Sequence, residues 1–447
     1  MGLVGQVGLV GRAGQAGNYI PRMMRSMAGR VVAACFVAFV AMAACLSGGA
    51  QVPAAQETFQ ASRDHRAIQY TARPTTDPIG RLNRRLSNNE VRLTFDRTSG
   101  YLRSVIDLLK VPVESQLFVF ARSSLQADRI SPTNPRSVFF GDDVAVAWPR
   151  GGFIEAASVD PKQGVIFYRL QQAPASSPAF VRSDEVCLVC HAIPATLGVP
   201  GLAVASVVPD AGGFVTDVQP AIMDHRMPIA ERWGGWYVTA KHQPMSHRGN
   251  LMAPNGDRPA LTPTPASIEL PTLTGAFDTR GYLSAQSDIV AHLVLDHQTR
   301  MINLLTRLGW ETRVALADSP STAGARVHDL AREVVDYMLF VDEAPLKGPI
   351  EGGSGFAARF EALGPRDRRG RSLRDLDLRT RLLRYPCSYL IYSEQFDQLP
   401  AEAREAVSAR LKEVLTGADQ AARYDRLSAA DRRAIVEILA DTKKGVL

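Results

Sequence analysis

Residues 137–170 read SVFFGDDVAVAWPRGGFIEAASVDPKQGVIFYRL, and they indicate how the first half of the chain folds. Segments rich in β-branched and aromatic residues alternate with three short turns that contain Gly together with Asp or Pro. Turns of this length join neighbouring strands in antiparallel order. The predicted strands are 137–140, 144–148, 153–159 and 165–170. The sequence therefore predicts an antiparallel sheet made of consecutive hairpins.

Further strands are expected on both sides of this stretch. Residues 117–121, LFVFA, read as one strand upstream. Residues 202–208 and 214–218 read as a strand pair around a Gly-rich turn, and 233–238 as a strand with a glycine bulge. The whole region is therefore expected to be β-rich.

The apolar period changes to that of a helix after about residue 287. Apolar residues and one histidine recur there at spacings of three and four, which predicts a helix with one buried stripe. The stripe consists of Ile289, Leu293, His297, Met301, Leu304 and Leu308. Helices are also expected over 325–341, over 400–415 and after Ser428. The predicted fold class is α+β, with a β-rich antiparallel domain followed by a helical C-terminal region.

The N-terminus is typical of an export signal. Three arginines between residues 22 and 30 precede an apolar run over 31–45, which is too short for a comfortable membrane span. Cleavage after Ala44 is one expectation. Lipidation is the second, because Met42 to Cys45 resembles a lipobox that would leave a lipid on Cys45. Either outcome places the protein in the periplasm or outside the cell.

The expected organisation has six parts. They are a signal peptide (1–44), a tether (45–78), the β-rich domain (79–275), a helical segment (276–345), a Gly- and Arg-rich loop (346–372) and the C-terminal helical region (373–447).

Charge gives no support for a nucleic-acid or lipid-binding role. The formal net charge is +6. Four arginines and no acid lie in residues 1–44, so the rest of the chain carries only +2. A nearly neutral body offers no electrostatic basis for binding nucleic acid or anionic lipid. Membrane attachment is expected only through the leader or a lipid at Cys45.

Apart from Cys35 in the leader and Cys45 just after it, the chain has three cysteines, and two of them lie in one short motif. Cys187, Cys190 and His191 form the pattern Cys-x-x-Cys-His, whereas Cys387 is distant. This pattern attaches c-type haem: the thiols bond covalently to the porphyrin and the imidazole ligates the iron. A zinc site would need a fourth ligand and recruit distant histidines. A redox disulfide and a chance occurrence of the pattern stay open beside these two readings.

The motif and the leader resemble those of c-type cytochromes. The resemblance implies one covalent haem c, held by Cys187 and Cys190, with His191 as an axial iron ligand and a redox protein as partner. The wider sequence is also similar to exported bacterial proteins of uncharacterised activity that carry one haem motif. The similar segments are FYRL (167–170), CLVCH (187–191), GVPG (198–201), RWGGWYV (232–238) and RYPCSYLIYSEQFDQLP (384–400). Strands on both sides of the motif depart from the small all-helical cytochrome domain.

The sixth iron ligand is not specified by the motif. His297 is one candidate, because its place on the apolar stripe turns it toward the core. His247 is a second, because it lies in a loop directly after the aromatic strand 233–238. A methionine, Met223 or Met252, would instead supply sulfur, and an open sixth position is equally compatible with the motif.

Three functions follow from these possibilities. The first is electron transfer between periplasmic partners by a single-haem cytochrome. The second is a haem-based sensor of gases or redox state, and the third is an open-site, peroxidase-like oxidoreductase with His247 or His242 as the acid–base group. An electron carrier is favoured over an enzyme.

Overall fold

A computed structural model of the chain describes residues 59–215, 220–253 and 263–447. These residues belong to one structural unit, which extends from Gln56 to Leu447. The expected signal peptide (1–44), Cys45 and residues 45–58 of the expected tether lie outside the described residues. Within the described ranges, no helix combines the length and the apolar character needed to cross a membrane.

Consecutive hairpins build the main sheet. Its strands are β1 (Leu117–Val119), β2 (Arg136–Phe140), β3 (Val144–Pro149), β4 (Ile154–Asp160), β5 (Gly164–Leu170), β6 (Val181–Arg182) and β9 (Trp236–Tyr237). They lie side by side in the order β6-β5-β4-β3-β2-β1-β9, and every neighbouring pair is antiparallel. A separate two-stranded sheet pairs β7 (Ala205–Ser206) with β8 (Ala221–Ile222). The predicted α+β class and the predicted hairpins of residues 137–170 are confirmed.

Helices precede the sheet, interrupt it and dominate the C-terminal half. They are α1 (Pro78–Ser87), α2 (Leu102–Leu109), α3 (Asp184–His191), α4 (Pro265–Ile268), α5 (Ile289–Asp318), α6 (Ala323–Met338), α7 (Phe356–Ala362), α8 (Glu394–Asp397), α9 (Ala401–Thr416) and α10 (Ala429–Thr442). Short 3₁₀ turns connect several of them.

Helix α5 is the central element of the core. It begins at Ile289 and is capped by Asp288, whose carboxylate accepts a hydrogen bond from the Val290 amide at 2.8 Å. The predicted apolar stripe is buried, but so are the other faces, from Ile289 to Thr312. The polar side chains on those faces are satisfied inside the protein. For example, Gln298 donates to the Gly141 carbonyl at 2.6 Å and Asn303 to the Leu202 carbonyl at 2.6 Å.

The two faces of the main sheet have different environments. One face packs against the start of α1, where the Ile79 amide donates to Ser158 Oγ at 3.3 Å. On the same side, the Tyr168 hydroxyl donates to Asp77 at 2.8 Å. Successive residues of a strand point to opposite faces. Phe167 and Ala157 therefore lie on the opposite face. This face is covered less completely, as the half-buried Ala157 shows.

Some sequence expectations differ from the structure. Residues 202–208 were expected to pair with 214–218, but β7 pairs with β8 and only an isolated bridge joins Pro209 to Val215. Residues 216–218 lie outside the described residues. The expected strand 233–238 is shortened to Trp236–Tyr237, because Trp233 adopts φ 67° and breaks the extended backbone. The expected loop 346–372 contains α7.

Residues 59–78, the described part of the expected tether, pack on the rest of the protein. Ile68 and Tyr70 are buried in the main hydrophobic core. The Tyr70 hydroxyl donates to the Val165 carbonyl in β5 at 2.8 Å. This segment is therefore part of the folded unit and contributes to the position of α3.

Candidate functional site

Helix α3, which carries the Cys-x-x-Cys-His motif, is held on the edge of the main sheet by its first residue. One oxygen of Asp184 accepts hydrogen bonds from the Tyr70 hydroxyl at 3.0 Å and from the Phe167 amide at 3.2 Å. Its other oxygen pairs with Arg182. A carboxylate in the first turn also interacts favourably with the helix dipole. Leu188 is buried beneath the helix. The orientation of α3 is therefore fixed at its first residue, Asp184, and at Leu188.

Both thiols of α3 are free. Cys187 is half-buried and Cys190 is exposed. Burial, reinforced by the nearby Glu155 carboxylate, raises the pKa of Cys187 to about 11. A redox-active Cys-x-x-Cys pair needs a thiol with a lowered pKa, so Cys187 lacks the property of a redox disulfide centre.

A zinc site is not assembled around the motif. In the described ranges, no group of three or more His, Cys, Asp or Glu side chains is arranged to hold a metal ion. Zinc bound by cysteine and histidine requires four such ligands in structural sites and three in catalytic sites. The geometry around Cys187 and Cys190 therefore gives zinc binding no support.

The imidazole of His191 is oriented by its neighbours. Its Nδ1 atom lies 3.0 Å from the carbonyl oxygen of Gly201, and its ring lies 4.7 Å from that of Phe167. A carbonyl oxygen only accepts, so Nδ1 carries the proton and Nε2 carries the lone pair. Burial lowers the pKa of His191, which favours this neutral form. Metal-binding histidines commonly have this arrangement, with the second ring nitrogen donating to a backbone carbonyl.

Beside α3, the less covered face of the main sheet carries small side chains. Ala145, Ala147 and Ala157, here called the alanine platform, are all half-buried. Strand register brings them together, because Ala145 lies opposite Ala157 and Ala157 lies opposite Phe167, the residue that contacts His191. The platform is therefore a flat apolar surface next to the motif.

An ion pair lies on the same face of the sheet. Arg136 donates to Glu155 at 2.9 Å, and both side chains are mostly buried. Each also has a buried polar atom without a partner among the described residues, namely Arg136 Nε and Glu155 Oε1. The charges of both residues act on His191, and that of Glu155 also acts on Cys187. The site thus contains unsatisfied polar groups next to an apolar surface.

Exposed apolar side chains cluster around α3. Val186 and Val189 on the helix are 47% and 72% exposed, and Val181 just before it is 62% exposed. Exposed apolar side chains that lie close together can mark a surface that binds something. Cys190 directly follows Val189 and lies one helical turn after Val186, so the exposed thiol borders these valines.

The residues present fit a covalently attached haem. Two thiols lie at positions i and i+3 of a helix, and the neighbouring imidazole is neutral with its Nε2 lone pair available. The alanine platform would accept part of the flat apolar ring between the bulkier Phe140 and Phe167 of the flanking strands. Arg136 is paired with Glu155, but its unsatisfied Nε would donate a further hydrogen bond to a propionate. Arg182 and Arg169 also have local partners, in Asp184 and in the Ser183 hydroxyl at 2.7 Å, and neither has a buried donor left unpaired among the described residues.

His297 is buried, and both of its ring nitrogens are engaged. Nδ1 lies 2.8 Å from His225 Nδ1, and Nε2 lies 2.8 Å from Ser388 Oγ. Its ring also stacks on Tyr337 and Phe340. To ligate iron, His297 would have to give up one of these hydrogen bonds.

His247 is fully buried as well, but neither ring nitrogen has a hydrogen-bond partner among the described residues. Its ring lies 5.3 Å from that of Trp233. Of the two candidate sixth ligands, His247 is therefore the one whose lone-pair nitrogen is not already hydrogen-bonded among the described residues, although its ring lies beside Trp233 and not beside α3. The sulfur of Met223 accepts the Trp233 amide at 3.0 Å, and Met252 packs beside the aromatic cluster of Phe118.

A buried polar cluster in the core was missed by the sequence interpretation. Asp296 on α5 pairs with Arg232 at 3.2 Å and accepts from the indole nitrogen of Trp233 at 3.0 Å. Both Arg232 and Asp296 are almost completely buried. Burial raises the pKa of Asp296 to about 6. The sequence did contain a signal for this cluster, because Asp296 lies next to His297 in the middle of the predicted buried stripe.

The fold and site define an α+β protein in which a Cys-x-x-Cys-His helix is docked on the edge of an antiparallel sheet. The chain matches no protein-family model, no curated protein and no solved structure. Its function therefore has to be inferred from its own residues.

Proposed function

We propose that the protein is an exported single-haem c-type cytochrome that transfers electrons between periplasmic partners. The arrangement of His191 is the observation that supports this most directly. Its Nδ1 is committed to the Gly201 carbonyl, so Nε2 is left to bind iron. Cys187 and Cys190 lie one helical turn apart on the same helix and would form the two thioether bonds.

When bound, the haem would supply a one-electron iron centre. The chain holds and surrounds it. Asp184 fixes the start of α3, and the hydrogen bond from His191 to Gly201 sets the plane of the imidazole. The alanine platform excludes water from one side, and Arg136 donates a hydrogen bond to a propionate. A fixed, partly dry environment reduces the rearrangement of solvent and protein dipoles that a change in the charge of the iron would require.

The second axial ligand is proposed to be His247 or His297. Among the described residues, no hydrogen bond or ring contact joins either histidine to α3, so the choice between them rests on the variants below. Two histidine ligands would give a lower reduction potential than histidine with methionine. A closed iron site of this kind transfers electrons but does not bind small gases.

Export and partner binding are parts of the same proposal. The leader over 1–44 would direct the chain to the periplasm, with or without a lipid on Cys45. A redox partner would approach the exposed valines around α3, where the exposed Cys190 would hold the haem. Electron transfer would then require only a transient contact.

Covalent attachment can be tested by producing the chain with its leader in a bacterium that matures c-type haem. Protein denatured in guanidinium should retain haem absorbance after gel filtration. The double variant Cys187→Ala/Cys190→Ala should lose it. Cys387→Ala is the matched control, because Cys387 is buried away from the motif and should leave the haem content unchanged. Wild-type protein that releases its haem, or never acquires it, would refute the proposal.

Electron transfer can be separated from sensing and from peroxidase activity by adding carbon monoxide to the reduced protein. An unchanged, low-spin spectrum is expected. Loss of the low-spin form in His247→Leu, but not in His297→Leu, would identify the sixth ligand. A high-spin spectrum that shifts with carbon monoxide would instead favour an open site.

A further inference from the structure

A cleft of about 320 Å³ opens beside the β2–β3 turn, and none of the residues of α3 lines it. Its walls come from that turn, from α7, from the end of α2 and from the start of α8. A volume of this size lies at the lower end of the range for small-molecule sites. We propose that this cleft binds a small organic carboxylate with a planar apolar body.

Arg374 is the residue that points to an anionic ligand. It is only 4% exposed, and its guanidinium carbon lies 4.3 Å and 4.8 Å from the ring centres of Tyr389 and Phe360. One terminal nitrogen pairs with Asp142. The other, Nη1, has no hydrogen-bond partner among the described residues. A buried guanidinium is costly unless its donors are paired, so a second acceptor beside Asp142 would complete the site.

The carboxylates of the cleft already have cationic neighbours. Asp142 pairs with Arg374, and Glu394 lies 3.3 Å from Arg81. Asp143 lies 4.0 Å from the same Arg81. The three carboxylates therefore share two guanidinium groups, which leaves one negative charge in excess before any ligand enters.

Two further cations line the cleft without such partners. Lys110 and Arg359 are both exposed, and neither has a carboxylate oxygen within 4 Å among the described residues. Cations at the edge of a cleft attract an anion and raise its rate of association. Together with these two cations, the cleft and its edge carry four positive groups, including Arg81, and three carboxylates, so the net charge is +1.

The apolar wall explains why the ligand would have a planar body. Phe140, Phe356 and Phe360 form a continuous aromatic series, with ring centres 5.6 Å and 5.9 Å apart. All three are mostly buried but contribute to the lining. Aromatic side chains favour offset or edge contacts with another ring. A benzoate-like molecule would place its ring here and its carboxylate toward Arg374.

The test is a thermal-unfolding titration of the exported full chain with sodium benzoate, at constant ionic strength. Benzoate is expected to raise the midpoint temperature in a saturable way, whereas its neutral isostere benzamide should not. The variants Lys110→Gln and Arg359→Gln change exposed residues and should fold normally. Each should weaken the apparent affinity by about threefold, as expected for one partly exposed charge contact.

Arg97→Gln removes an exposed arginine that does not line the cleft and serves as the matched control. It should bind benzoate like the wild type. Equal stabilisation by benzoate and benzamide would contradict the proposal, and so would the absence of a benzoate effect or an equal loss in all three variants. None of these readings depends on haem, so the result does not bear on the proposed cytochrome function.

Discussion

The Nδ1 atoms of His225 and His297 lie 2.8 Å apart in the core, so one of them donates a proton to the other. Both rings are stacked between the aromatic side chains of Tyr337 and Phe340. The accepting ring must keep its Nδ1 unprotonated, because a proton there would put two donors face to face. Burial accordingly lowers the pKa of both, and that of His297 to about 3.

Breaking this pair should destabilise the protein. His297→Phe retains an aromatic ring for stacking but leaves His225 Nδ1 without its partner, and a buried unsatisfied polar atom costs about 1–3 kcal/mol. Urea unfolding would measure the loss. The double variant His225→Phe/His297→Phe removes both ends, so its loss should be smaller than the sum of the two single losses. Additive losses would show that the hydrogen bond contributes nothing.

Acid should destabilise the protein through His247. Burial lowers its pKa to about 4, whereas a histidine in the unfolded chain titrates near 6.5. Between these values the unfolded state binds more protons, so stability falls as the pH falls from about 6.5 to 4. The contribution of this one residue is about 3 kcal/mol.

The variant His247→Leu isolates that contribution. In the haem-free protein, where His247 has no iron to bind, this variant should be about 1 kcal/mol more stable than the wild type at pH 7, because two unpartnered buried nitrogens are removed. The advantage should grow at pH 4.5. Denaturant titrations at both pH values would measure it, with the exposed His328→Gln as the control. An advantage that does not change with pH would contradict the explanation.

Removing Arg232 should be among the most damaging single changes. Arg232→Met leaves the Asp296 carboxylate buried without its cation, which costs about 3–5 kcal/mol. Combining it with Asp296→Leu removes both charges and should recover part of the loss, as calorimetric or denaturant unfolding would show. No recovery would mean that the packing of the arginine stem, rather than the charge pair, is what matters.

Filling the alanine platform should prevent haem retention without unfolding the sheet. Ala157→Leu places a bulky side chain on a half-buried surface beside Phe167, so the apo protein should lose only about 0.5 kcal/mol of stability. The haem-to-protein ratio after maturation should fall severalfold. Ala325→Leu, an exposed change on α6, is the control. An unchanged ratio in Ala157→Leu would show that the haem does not lie on this face.

The hairpins of residues 137–170 could be predicted because the information is local. Each strand is paired with its neighbour in the chain, and each turn contains the residues that turn geometry needs. The motif on α3 was also visible, because the proposed thioether bonds and iron ligation would use residues within one helical turn. In both cases the residues that act together are close in sequence.

The rest of the site could not be predicted because it depends on register and long-range packing. Arg136 and Glu155 meet only because β3 lies between their strands. The alanine platform is likewise a product of strand pairing, and alanine gives no signal of its own. The environment of α5 was missed for a related reason, since Asp296 can be buried only once Arg232, from a distant segment, reaches it.

Because α5 is buried on every side, the order in which the chain is synthesised affects when the main sheet can finish folding. The strands of the main sheet all leave the ribosome before this helix, with which they share the hydrophobic core. Until residues 289–318 emerge, the nascent chain therefore lacks its central packing partner. A polypeptide that must be threaded across a membrane benefits from such a delay, because it cannot become trapped as a finished fold on the wrong side.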